Sequence, residues 1–216
     1  MKIAKPAYKI LNLEDGTKIL KHLELVARTC YKSEGLITDD DSSARKIIAG
    51  IIKSGHESIL EHIAFTVRFT ADVGFYKDLT RHRAGISFAI ESTRWCNYAN
   101  DKFGGELTFM APANMAEGTE IYEKWAECMQ GIEKAYMAMA ALGAKPDQLR
   151  MILPHSTKAD INITTNIREW RHIFRLRIQP NVHPSIRQLL IPLLAELKQR
   201  LPVVFDDIIV PEGAEV

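Results

Sequence analysis

The chain has 216 residues, 46% hydrophobic and 25% charged, the length and composition of one globular domain able to bury a core. Lys and Arg number 28 against 27 Asp and Glu, and this net charge of +1 excludes a global field that would draw the chain onto nucleic acid or anionic lipid. The three cysteines, Cys30, Cys96 and Cys128, form no CxxC pair, which argues against a disulfide framework and a structural zinc site and makes reducing cytoplasm the expected compartment.

No apolar run approaches a membrane span, and Met1 to Gly16 lacks the apolar stretch of a secretory leader, so a soluble protein is expected. Without repeats or a Gly/Ser/Pro-rich linker, a single domain over residues 1–216 is the economical reading. In chain order, Tyr8 to Leu13 reads as extended. Ile19, Leu20, Leu23 and Ala27 stand at helical spacing within Gly16 to Lys32. Ser42 or Ser43 caps a second helix that runs to Gly55 with Ile47, Ile48, Ile51 and Ile52 as its apolar face. Ala64 to Thr70 alternates Phe65, Val67 and Phe69 with Thr66, Arg68 and Thr70, a half-buried strand, and Asp72 to Thr80 is amphipathic. Glu106 to Met110 is a weaker strand.

Met115 to Leu142 is helical up to Gly143, with Tyr122, Trp125, Met129 and Ile132 spaced as core residues. Pro146 starts a short helix through Ile152, Pro154 ends it, and Lys158 to Thr165 is another strand. Asn166 to Arg177 and Pro184 to Leu201 are the last helices. Strands and helices alternate without βαβ repeats, so the class is α+β: a central, mostly antiparallel sheet covered by helices, with no Rossmann motif.

Residues 81–94, RHRAGISFAIESTR, carry three arginines and a histidine against one carboxylate, Glu91. Three adjacent cations could simply close the preceding amphipathic stretch. Ser87, Ser92, Thr93 and Arg94 add hydroxyls and a fork-shaped cation, the groups that hold phosphate, and favour a phosphorylated ligand. In Asn166 to Arg177, NIREWRHIFRLR, a helix puts Arg168, Arg171, His172 and Arg175 on one face and Ile167, Trp170, Ile173 and Phe174 on the other. Arg177 falls inside the apolar stripe and is expected to be buried, needing either a carboxylate or an anionic ligand.

GHESILEH, residues 55–62, places His56 and His62 six apart rather than the four that metal-binding HExxH requires, so no metal site is expected, although a metallohydrolase using both would lose activity to a chelator. Neither GxGxxG nor GxxxxGK[ST] occurs. Cys96 has no histidine placed by sequence to activate it and reads as a buried inert thiol.

These residues resemble the flavin-dependent thymidylate synthases, whose signature RHRxxSxxxxSxR is matched, with one more residue before its first serine, by Arg81, His82, Arg83, Ser87, Ser92 and Arg94, followed by Trp95 where the family usually has Tyr or Phe. RTCYKS near residue 30, GHESILEH, ESTRWCNY, LRMILP, NIREWRHIFRLR and HPSIRQL also look like family segments in family order. Two departures stand out: Ala84 to Ile86 put three residues before Ser87 where the common pattern has two, and Ile90 replaces a Gln or Glu of many members.

The resemblance implies reductive methylation of dUMP to dTMP, with 5,10-methylenetetrahydrofolate as one-carbon donor, FAD as hydride carrier and NADPH as reductant. By position it implies Arg177 as the catalytic cation that polarises the uracil. Asp78, Arg81, Glu91, Ser92, Thr93, Arg94 and Arg150 would hold the nucleotide with Arg177. His56, Ser58, Arg81, His82, Arg83, Glu91, Asn166, Arg168 and His172 would hold the flavin. The family's homotetramer, with active sites shared between subunits, is implied as well. The alternative from another class is a small RNA-binding module using Arg81 to Arg83 and the Arg168 to Arg175 face, against which the near-zero net charge counts.

Overall fold

A computed structural model of the chain describes residues 1–214. In chain order the elements are β1 (Lys2–Ala4), β2 (Ala7–Ile10), α1 (Gly16–Thr29), α2 (Ser42–Lys53), β3 (Ala64–Asp72), α3 (Val73–Leu79), β4 (Ile86–Ile90), β5 (Thr108–Met110), α4 (Glu120–Ala141), α5 (Pro146–Leu149), β6 (Lys158–Asn166), α6 (Ile167–Arg177) and α7 (Pro184–Arg200). Glu57–His62 forms two tight 3-10 turns. Among the described residues no helix is long and apolar enough to cross a membrane.

The α+β class holds. Strands β2, β3, β6 and β4 lie in that order in an antiparallel sheet. A separate parallel pair joins β1 to β5 with Lys2 opposite Thr108 and Ala4 opposite Met110. Alternation along β3 and β6 buries Phe65, Val67, Phe69 and Ala71 with Ala159, Ile161 and Ile163. The opposite face is polar: Thr66 and Thr164 hydroxyls meet at 2.8 Å, and Asp160 accepts from Arg68 at 2.9 Å and Thr70 at 2.7 Å.

The chain clusters into two compact units, Met1–Tyr8 with Arg68–Arg81 and Phe88–Asn162, and Lys9–Val67 with His82–Ser87 and the chain from Ile163 onward. The first has a core of Tyr98, Leu107, Phe109, Met129, Tyr136 and Leu149. In the second, Trp170 stacks on Phe65 with centroids 5.4 Å apart, and Phe174 meets Phe205 edge-on at 5.8 Å. Ile19, Leu20 and Leu23 of α1 and Ile48 of α2 are buried in that unit, as their spacing requires.

Several boundaries differ from expectation for local reasons. Helix α1 stops at Thr29 because the chain turns through Lys32 at φ +48°. Helix α4 begins at Glu120, not Met115, because Gly118 at φ +82° breaks the run and the Thr119 side chain then caps the helix. The cap residue of α2 is Asp41, while the Ser43 hydroxyl donates to buried Glu24 at 3.0 Å. The segment Ile86–Ile90 inside the arginine-rich motif, to which the sequence pattern assigned no element, is a strand.

Candidate active site

Asn166 ends β6 and caps α6, its side-chain oxygen accepting from the Glu169 N–H at 2.9 Å. One residue earlier, the Thr165 hydroxyl donates to the Gly85 carbonyl at 2.7 Å and ties the 82–85 loop to the start of the helix. Gly85 sits at φ +64°, and a Cβ there would stand 3.6 Å from the Asn166 amide nitrogen. Between Arg83 and Ser87 the chain thus makes a left-handed turn that glycine adopts without strain. Beside this turn lies a cavity of about 470 Å³, lined by Ala84 and Gly85, by Asn166, Arg168, Glu169, His172 and Arg175, and by Glu57 and Glu61.

His82 is buried, and both its ring nitrogens are engaged. Nδ1 lies 2.9 Å from Glu169 Oε1, and Nε2 accepts from Arg177 Nε at 3.1 Å. Since a guanidinium only donates, Nε2 carries the lone pair and Nδ1 the proton. Burial pushes the His82 pKa below the usual histidine value, outweighing the opposite pull of the Glu169 carboxylate, which agrees with a neutral ring. His172 meets His82 edge-on at 5.5 Å. His82, Glu169 and His172 offer ligand atoms within 4.8 Å of one another, but His82 has no ring nitrogen left for an ion.

Two expectations for α6 are corrected. Arg177 is half-buried rather than buried: it is the last residue of the helix, and its long side chain leaves the apolar stripe to reach His82. The buried arginine is Arg171, fully enclosed, with Nη1 2.7 Å from Asp207 Oδ1 and Nη2 2.9 Å from Glu57 Oε1 and 2.8 Å from Asp207 Oδ2. Nor is the neighbouring face purely cationic. Arg168 pairs with Glu61 at 2.5 Å, and Arg175 with Glu57 at 2.9 Å and Asp207 at 3.1 Å. Burial alone would raise the carboxyl pKa values of Glu57 and Asp207, but the hydrogen bonds from Arg171 and Arg175 outweigh it and hold both below the ordinary range.

The flavin set implied by resemblance falls largely in the second unit. Asn166, Arg168 and His172 line the one cavity, with His82 and Arg83 in the loop whose Gly85 borders it. Ser58 is exposed in the 57–62 turns and does not line the cavity, and His56 lines a separate groove of about 810 Å³ with Arg28, Tyr31 and Lys46.

The nucleotide set, Asp78, Arg81, Glu91, Ser92, Thr93, Arg94 and Arg150, lies in the first unit. Arg81, Ser92, Arg94 and Arg150 are exposed, and the Arg94 guanidinium stands 5.7 Å from the centroid of exposed Trp95. Glu91 differs from these. Its carboxylate accepts from the Tyr98 hydroxyl at 2.8 Å, Lys158 Nζ at 2.9 Å and the Asp160 N–H at 3.1 Å, so it anchors the end of β4 within the protein. Cys96 is half-buried, and burial raises its thiol pKa, as suits an inert residue.

Four carboxylates around α6 were not singled out by the motif analysis. Glu57 and Glu61, four apart in GHESILEH, match the spacing of Arg168, Arg171 and Arg175, a charge complementarity that the sequence displays. Glu169 also stands in plain view inside the helix motif. Asp207 lies 36 residues from Arg171 in irregular chain and gives no signal.

Residues 12–203 match the model of the family described as "Thymidylate synthase complementing protein". The chain belongs to this family. Among curated members, the flavin-dependent thymidylate synthase of Pyrococcus abyssi is 32% identical over 166 residues, which are 76% of this chain and 66% of the relative. That of Pyrococcus furiosus is 31% identical over 172 residues, 79% of this chain and 69% of the relative. That of Geobacter sulfurreducens is 29% identical over 192 residues, 85% and 79% of the two chains. Among solved structures, the UMP/dUMP methylase PolB of Streptomyces cacaoi, bound with 5-Br dUMP, superposes with a TM-score of 0.75 at 19% identity over 98% of this chain and 100% of that one, a likeness of fold.

Proposed function

We propose that the protein is a flavin-dependent thymidylate synthase, converting dUMP to dTMP by reductive methylation with 5,10-methylenetetrahydrofolate as one-carbon donor. FAD is its hydride carrier and NADPH its reductant. The family match over residues 12–203 carries the reading. The curated relatives' name supports the flavin, and the dUMP analogue bound by the PolB methylase fits the substrate.

The cavity at the head of α6 fits part of a flavin dinucleotide. Its volume of about 470 Å³ falls in the ligand-pocket range, and Asn166, Arg168 and His172 present donors to it. Gly85 carries no side chain there, which leaves the backbone open to close approach. Among the described residues Arg168 is held only by an exposed pair with Glu61, and an exposed pair of this kind yields readily to a phosphate. When bound, the flavin supplies the hydride that reduces the transferred carbon.

The chain's own residues bind and polarise. A guanidinium is a permanent cation, so Arg177 beside a uracil would stabilise negative charge on the ring and favour loss of the N3 proton. His82 holds that guanidinium by its Nε, and the Nδ1–H of the same ring is fixed by Glu169. Exposed Arg81, Arg94 and Arg150 offer forks for the nucleotide's phosphate, and Ser92 and Thr93, next to Arg94 in the chain, offer hydroxyls. Glu91 serves as the scaffold of this segment. The chain acts as one catalytic domain and assembles as a homotetramer sharing its sites between subunits, as the resemblance of its motifs implies. Its expected place is the cytoplasm. The RNA-binding reading gains no support, because carboxylates neutralise Arg168 and Arg175.

The test is a visible spectrum of the purified protein, followed by anaerobic reduction with NADPH with and without dUMP. A flavin spectrum whose bleaching rate responds to dUMP is expected. Arg177→Ala should retain flavin and lose roughly a hundredfold or more in turnover. No flavin, and no uptake of added FAD, would overturn the proposal.

A further inference from the structure

The contacts of His82 extend beyond the ring itself. Glu169 is in the first turn of α6 and Arg177 ends it, eight residues on, a rise of roughly 12 Å along the axis. One imidazole from the 82–85 loop links the two: Glu169 Oε1 to Nδ1 at 2.9 Å, and Nε2 to Arg177 Nε at 3.1 Å. Glu169 is itself held, its side chain 14% exposed and its N–H bound to the Asn166 side chain at 2.9 Å. A neutral imidazole has one donor and one acceptor, so whatever fixes the proton on Nδ1 also fixes the acceptor on Nε2. Were the proton on Nε2, two donors would face each other and Arg177 would turn away.

We propose that Glu169 is a positioning residue: by accepting the Nδ1–H of His82 it selects the tautomer whose Nε2 accepts from Arg177, and so sets the direction of the guanidinium. The proposal rests on the reading of Arg177 as the cation facing the uracil. Glu169 touches no substrate in this scheme. It acts through His82, and the charged or titratable groups around that ring are Glu169, Arg177 and His172.

The test compares Glu169→Ala and Glu169→Gln in the flavin-loaded enzyme, with nitrogen-15 NMR of the His82 ring as the readout that a purely structural role would not move. In the unsubstituted protein the ring should be protonated at Nδ1 and bare at Nε2. Glu169→Ala should shift the ring toward the other tautomer and lower kcat, taken per bound flavin, on the order of tenfold to a hundredfold, with KM for dUMP little changed. Glu169→Gln, whose amide oxygen still accepts from Nδ1, should recover kcat to within about threefold, as expected where geometry rather than charge matters. A proton on Nε2 in the unsubstituted protein would overturn the proposal, even if Glu169→Ala does not fold. So would full activity of Glu169→Ala beside an inactive Arg177→Ala, an outcome that leaves the proposed function standing. Full activity of Arg177→Ala, with His82 still protonated at Nδ1, would remove the assignment of Arg177 and this proposal together.

Discussion

Replacing Arg171 with Met removes a fully buried cation whose two terminal nitrogens serve Asp207, Glu57 and the Val204 carbonyl. The methionine fills much of the volume but leaves the Val204 carbonyl unpaired and Glu57, 12% exposed, facing Asp207 with only Arg175 between them. Removing one partner from a buried ion pair costs about 3–5 kcal/mol. Asp207 is 41% exposed and can turn to water, which places the loss at the low end, about 3 kcal/mol. For a chain of this length about 2–4 °C accompany each kcal/mol, so melting should fall by roughly 6–12 °C. Arg175→Met is the internal control. It touches the same two carboxylates but is 44% exposed, and its loss should stay below about 1 kcal/mol. Thermal and urea unfolding of both variants at neutral pH decide the matter. Equal losses, or an Arg171→Met protein melting within 2 °C of the unsubstituted one (a shift of about 1 kcal/mol or less), would refute the argument that burial separates these arginines.

Three other outcomes are expected. Arg168→Ala should leave stability within about 0.5 kcal/mol, because its pair with Glu61 is exposed, yet weaken flavin binding about tenfold in a fluorescence titration; unchanged binding would remove Arg168 from the cofactor site. The depressed pKa of His82 means that the unfolded chain binds its proton first as pH falls. The stabilisation from neutral His82 is therefore complete above about 6.5 and drains away below it, so the melting advantage over His82→Asn should narrow between pH 7.5 and 5. An advantage that grows with acid would mean the ring is charged in the fold. Gly85→Ala forces a Cβ into a left-handed turn and should cost about 1–2 kcal/mol by urea midpoint, whereas a neutral result would show that the turn relaxes.

Periodicity made the helices and the two long strands legible because each is half apolar. Phe65, Val67 and Phe69 mark β3, and Trp170 and Phe174 mark the buried side of α6. Strand β4 was not legible, since Ile86–Ile90 lies within a motif read for its cations and neither of its faces is fully buried. The motif residues were legible as a chemical set, and the cavity lined by Asn166, Arg168 and His172 agrees with grouping them. The partners of the arginines were less so. Helical angle alone put Arg177 in the core and Arg171 outside it, and the side chains reversed that order, because Arg171 had carboxylates to enter with while Arg177 had an imidazole to reach out for. Glu91 was legible as a motif residue, but its bonds to Lys158 and Tyr98, each distant or unmarked in the pattern, were not.

The Glu57–Arg171–Asp207 cluster joins segments 114 and 36 residues apart. Contacts of such separation form late, after the loops they close have lost their freedom, so this cluster contributes little to the speed of folding and much to the slowness of unfolding. During synthesis, Arg171 leaves the ribosome with Glu57 already made and Asp207 still to come. Until residue 207 emerges the guanidinium has only part of its shell of acceptors, and the helix that carries His172 and Arg177 lacks one of its anchors.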